Sequence, residues 1–166
     1  PDLVPVAIAV FDEALGARRN QVRVSIPPLP AVDADALLNV RHTGGAITEG
    51  GVRSNIAVSL RYLEAWLGGM GAVAIDNLME DVATAEIARS QIWQWLRNRV
   101  LLSSGMDFDA RFATTVLDEE VAKLSRERKS RGQPVDALLR ACEILKEVAL
   151  SDEFVDFLTL RAYQWL

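Results

Sequence analysis

The sequence predicts an all-α fold, a helical bundle of about five or six helices preceded by a long connector. Three observations lead there. Apolar residues recur at three- and four-residue spacing through most of the 166-residue chain. The periodic segments open on capping residues, and several close on glycine. Strand-like alternation is confined to short stretches, and neither an internal repeat nor a low-complexity segment interrupts the pattern.

The first helix is expected from about Leu3 to Leu15, with Val6, Val10 and Leu15 near helical spacing and Gly16 as its stop. From Ala17 the pattern changes. Gln21 to Ile26 alternate like a short strand, and Pro27-Pro28-Leu29-Pro30 enforces an extended path. Asp33 to Leu38 suits a brief helical turn. Residues 17–47 therefore read as a connector laid on a surface, a length uncommon inside a self-sufficient domain.

Thr48 then caps a helix over about Glu49–Leu67, whose Val52, Ile56, Leu60, Leu63 and Leu67 share a face that Tyr62 and Trp66 extend. Gly68-Gly69 is its stop. A short extended stretch, Ala72 to Ile75, leads into an acidic turn, and a helix follows from Asp81 or Val82 to about Asn98. Turns flank Ser103-Ser104-Gly105. Asp107 or Asp109 caps the next helix, about Ala110–Ser130, which carries Phe112, Val116, Val121 and Leu124 inward. Pro134 opens another over Val135–Ala149, with Leu138, Leu139, Cys142, Leu145 and Val148 on its core side. Ser151 caps a last short helix through about Leu160.

Composition narrows the function. Half the residues are hydrophobic and 25% are charged, an ordinary balance for a globular domain with a sizeable core. A formal net charge of −5 argues against a nucleic-acid surface or a basic membrane patch. Runs such as Gly71 to Ile75 are too short to cross a bilayer, and no signal peptide is visible. The single cysteine, Cys142, gives no internal disulfide, so a cytoplasmic protein is the default expectation. The chain starts at Pro1 rather than Met, which removal of an initiator Met or excision from a longer chain would explain equally.

Most familiar chemistry is missing. The lone histidine, His42, sits in the connector beside Gly44-Gly45 and reads as a solvent-exposed loop residue. No Cys/His set has zinc spacing, so no metal site is expected. Gly68-Gly69-Met70-Gly71 follows a helix rather than a strand and lacks phosphate-loop spacing. Cys142 lies on an apolar helix face and reads as core. The charged run from Asp118 to Lys129 has acids upstream and bases downstream, as a solvated helix face should. Trp93 and Trp95 are two residues apart and cannot share a face, so one is expected in the bundle and one toward a neighbour.

Glu80 and Asp81 remain. Taken locally, two acids at a helix start are caps: Asn77 with Glu80 fits a capping box, or Asp81 is itself the N-cap. Amides at a helix N-terminus favour an ionised acid, so an effective base there needs a water-poor apolar wall to offset them. Val73, Ala74, Ile75, Leu78 and Met79 could supply one.

The run from Asn77 to Trp95, with Glu80-Asp81 at its head, resembles the signature of malate synthase. The similarity extends to Phe11–Gln21, to Ile47-Thr48-Glu49-Gly50-Gly51-Val52-Arg53-Ser54-Asn55-Ile56, to Tyr62-Leu63 and Trp66-Leu67, and to Asp156-Phe157-Leu158-Thr159-Leu160. The resemblance implies a β/α barrel closed by a helical C-terminal plug. Residues 1–16 would be the helix leaving the absent catalytic barrel, 17–47 the connector and 48–166 the plug. It implies excision from a longer chain as the reason for Pro1.

The implied reaction is a Claisen-type condensation of acetyl-CoA with glyoxylate, giving malate and CoA. Asp81 would be the general base that takes a proton from the acetyl methyl, with Met79 and Glu80 along the same approach. Magnesium (Mg2+) would act on glyoxylate as Lewis acid and template, held by the barrel and not by this chain. CoA contacts are not assignable. Arg53, in a family-like motif, is expected to pair with an acid on a neighbouring helix.

Two departures stand out. Ala72 takes the place of a cysteine common in the family, and Arg161 that of a proline. The C-terminus has no Ser-Lys-Leu signal. The isolated chain is expected to be inactive and to self-associate through the face the barrel would cover. The rivals are a non-enzymatic helical interaction module and a separate lid subunit.

Overall fold

The computed structural model describes residues 3–29, 31, 33–39 and 44–166. The expectations at Pro1, Pro30 and His42 lie outside the described residues. The chain divides into two units, Pro1–Gly44 and Gly45–Leu166.

In the first unit, Val4–Leu15 forms α1, with Pro5 in its first turn and Gly16 at φ +57 ending it. It buries none of its side chains. Asp33 caps the five-residue α2 (Ala34–Leu38) by accepting from the Asp35 amide. The strand expected over 21–26 is absent. Asn20 Oδ1 instead accepts from the Val22 amide at 3.1 Å and bends the chain, and Val22 and Ile26 are exposed. Alternation without a partner strand leaves backbone groups to water and turns.

The second unit is a helical bundle with one hairpin. Its helices are α3 (Glu49–Leu67), α4 (Val82–Arg97), α5 (Ala110–Ser130), α6 (Asp136–Ala149) and the short α7 (Leu158–Ala162). The α3 helix touches α4, α5, α6 and α7 and is the hub of the bundle. Its Val52, Ile56, Leu60 and Leu63 are buried among Ile92 of α4, Leu117 of α5 and Leu145 of α6. The caps follow the sequence. Thr48 Oγ1 accepts from the Gly51 amide at 2.9 Å, and Asp109, not Asp107, accepts from Phe112 at 2.7 Å.

Between α3 and α4 lies an antiparallel hairpin, β1 (Ala72–Ile75) and β2 (Leu78–Asp81), in the register Ala72↔Asp81 to Ile75↔Leu78. Asp76 and Asn77 form its two-residue turn at φ +49 and +68. Both central residues of such a turn need positive φ, which Asp and Asn tolerate best after Gly. Asn77 is therefore spent in the turn, and the Asn77–Glu80 capping box does not form.

Two other expectations are corrected. Leu139 is 48% exposed, because α6 turns Leu138 and Cys142 inward instead. Residues 151–157 are not helical: side chains of α4 satisfy this loop's backbone, so it needs no helix of its own. Trp93 Nε1 donates to the Ser151 carbonyl and Arg97 Nη2 to the same oxygen at 2.7 Å. The two tryptophans, as expected, do not share a face. Trp93 packs edge-on against Phe154 and Trp95 against Phe108, on opposite sides of α4.

Candidate active site

The hairpin runs into α4 with no linker, so Asp81 is both the last strand residue and the helix N-cap. Its Oδ1 accepts from the amides of Ala83 at 2.9 Å and Thr84 at 3.4 Å. Oδ2 takes no hydrogen bond among the described residues. One oxygen thus fixes the carboxylate and the other is free to accept a proton.

Strand alternation separates the two acids. Leu78 and Glu80 project to one side of β2, Met79 and Asp81 to the other. Glu80 and Leu78 line a groove of about 430 Å³ against α3 and α5, with Arg53, Arg61 and Lys123. Asp81 lies instead on the side of β2 that carries Met79, which is 71% exposed, and the next residue, Val82, is also open. Adjacent in sequence, the carboxylates do not form an acid/base pair.

The hairpin is held at both ends. At its tip, Arg61 Nη1 donates to both carboxylate oxygens of Asp76 at 3.0 and 3.1 Å. At its base, the buried Tyr62 donates its hydroxyl to the Gly71 carbonyl at 3.2 Å, one residue before the partner of Asp81. Burial first, then the nearby charges of Asp81 and Glu86, push the Tyr62 phenol above its ordinary value, which keeps it a protonated donor.

Arg53 clamps α3 to α5. It donates to Glu119 Oε2 at 2.6 Å and Glu49 Oε1 at 2.8 Å, and reaches Glu120 Oε1 at 3.4 Å. Hydrogen bonds to Glu119 and then Glu49 raise its pKa further. This is the interhelical pairing expected of it. Cys142 is 5% exposed, and burial pushes its thiol up, the opposite of an activated nucleophile. Among the described residues, no group of three or more His, Cys, Asp or Glu side chains could hold a metal ion. No helix among them is long and apolar enough to cross a membrane.

Sequence reasoning missed the Glu86–Arg89 pair. Arg89 is 1% exposed, and its Nε donates to Glu86 Oε2 at 2.8 Å. The signal was present: Arg89 falls on the stripe formed by Ala85, Ala88 and Ile92, so a charge there had to be buried and paired.

The family described as "Malate synthase, C-terminal" matches residues 46–166. Malate synthase A of Escherichia coli (strain K12) is 41% identical over 170 residues, covering 100% of this chain and 31% of the relative. Malate synthase of Streptomyces clavuligerus is 42% identical, covering 100% and 30%. The glyoxysomal malate synthase of Candida tropicalis is 38% identical, covering 98% and 29%. The chain spans about three-tenths of the length of these relatives.

Proposed function

Because the chain belongs to the malate synthase family and matches its C-terminal domain, we propose that it supplies the general base for condensing acetyl-CoA with glyoxylate, and that Asp81 is that base. The supporting observation is the division of labour within one carboxylate. Oδ1 is tied to the α4 amides while Oδ2 is free, and Met79 and Val82 close by in the chain are exposed apolar side chains that a partner would dry on contact. In this reading Oδ2 removes a methyl proton from acetyl-CoA, leaving an enol or enolate. The methyl carbon then bonds to the aldehyde carbon of glyoxylate, whose oxygen takes up a proton. Hydrolysis of the malyl-CoA thioester releases malate and CoA. A carboxylate fixed by its cap approaches the methyl at a set angle, and such positioning dominates a proton transfer of this kind.

The remaining parts belong to sequence outside this chain. The relatives are about three times longer, which leaves room for a catalytic barrel holding glyoxylate and most of the CoA. The described residues gather no group of three or more carboxylate, His or Cys side chains for magnesium, and in this reading the barrel holds the ion.

The test uses a chimaera in which this chain replaces the matching three-tenths of the Escherichia coli enzyme. Glyoxylate-dependent release of CoA thiol from acetyl-CoA, with magnesium, is expected from the chimaera and not from the chain alone. Asp81→Asn keeps a capping oxygen but removes the base, and is expected to lower kcat by about 10²- to 10⁴-fold. Activity within twofold of the parent would return Asp81 to the role of a helix cap.

A further inference from the structure

We infer that Glu86 and Arg89 are positioning residues for Asp81, forming a buried latch that ties the N-terminal half of α4 to the chain entering α7. The inference rests on the reading of Asp81 as base. The latch has four contacts. Glu86 Oε1 accepts from the amide of Leu158, and Glu86 Oε2 accepts from Arg89. Arg89 Nη2 donates to the Asp156 carbonyl at 3.2 Å, and the guanidinium lies 4.2 Å over the Phe154 ring. Leu158, the first residue of α7, is fully buried, so the latch is anchored in the core.

The placement fits positioning better than stability. At 1.5 Å rise per residue, Glu86 lies only about 7.5 Å along the helix from Asp81. The N-terminal half of α4 is also held by the hairpin and by Ala85 and Ala88, which are buried in the bundle core; the latch adds directional bonds to that packing. Together they fix where α4 begins and how it is tilted, and Asp81 is the residue at that point. Burying this pair is expensive: Arg89 Nη1 is buried with no hydrogen-bond partner. An apolar pair of similar volume would fill the space at no greater cost. What the apolar pair lacks is the directional grip on two backbone groups, at Asp156 and Leu158.

The experiment uses the same chimaera with three variants. Glu86→Gln/Arg89→Met removes both charges together and leaves no unpaired ion, so it is expected to fold cooperatively. Its kcat should fall about 10- to 100-fold, the effect of displacing a catalytic group by about an ångström. KM for acetyl-CoA and glyoxylate should stay within twofold, and amide exchange at Ala83 and Thr84 should quicken as the cap loosens. Arg89→Lys alone keeps a cation beside Glu86 and leaves the Leu158 contact, loses the grip on Asp156, and should show the same split, more weakly; it decides the matter if the double variant does not fold. Asp81→Asn is the control. If it is inactive while the folded latch variants keep parental kcat and exchange, the latch is structural and the inference is wrong. If Asp81→Asn is fully active, the reading of the base fails and the inference with it.

Discussion

Asp81 does two jobs with two oxygens, and substitution can separate them. Asparagine caps a helix about as well as aspartate, whereas alanine does not. Asp81→Asn is therefore expected to leave the urea midpoint of the chain unchanged, and Asp81→Ala to lower stability by about 1 kcal/mol. Both should abolish the contribution to catalysis. Loss of stability in both alike would mean that the contacts to Ala83 and Thr84 need the negative charge. The other reactive-looking residues have bland duties at this scale. Arg53 is consumed by Glu49 and Glu119, and Cys142 is a buried apolar filler.

At the scale of the element, three helices end the same way and one does so under strain. After α3, the Met70 amide returns to the Ala65 carbonyl with Gly69 at φ +84. After α5, Gln133 returns to Arg128 with Gly132 at φ +67. After α4, Val100 returns to Trp95, but the left-handed position is occupied by Arg99 at φ +47. Arg99→Gly is expected to stabilise the chain by about 1 kcal/mol, read as a higher urea midpoint. An unchanged or lower midpoint would mean that the Arg99 side chain offsets its own strain.

The same elements show what could be read from sequence. Long helices with a side-chain cap and a glycine stop were legible almost to the residue, as α3 was, because local chemistry specifies their ends. Asp81 was legible as one of two caps; the structure chose it because Asn77 was needed in the turn. The β2 strand was hidden, since Leu78 to Asp81 has only four residues and its partner is identified by pairing. The loop over 151–157 reads as helix in the sequence for a similar reason. Its backbone partners are Arg89, Trp93 and Arg97, 54 to 67 residues away in sequence and invisible to periodicity.

At the scale of the whole molecule, the exposed apolar side chains beside Asp81 are the feature an isolated chain manages worst. Met79 and Val82, on either side of the two acids in sequence, are left uncovered by α4 and the hairpin, and Leu78 and Ile87 are exposed nearby in the chain. The isolated chain is expected to self-associate at micromolar concentrations, seen by sedimentation. Met79→Lys, a change at a 71% exposed position, should shift it toward monomer. A wild-type chain that stays monomeric at every concentration would contradict this.

If Asp81 is the base, this chain's carboxylate, and not a barrel residue, takes the methyl proton. The most direct measurement is deuterium wash-in from D2O into the methyl group of acetyl-CoA, followed by mass spectrometry on the magnesium-loaded chimaera. Wash-in is expected with Asp81, and a rate at least about 100-fold lower with Asp81→Asn in an equally stable protein. Equal rates in the two proteins would contradict it.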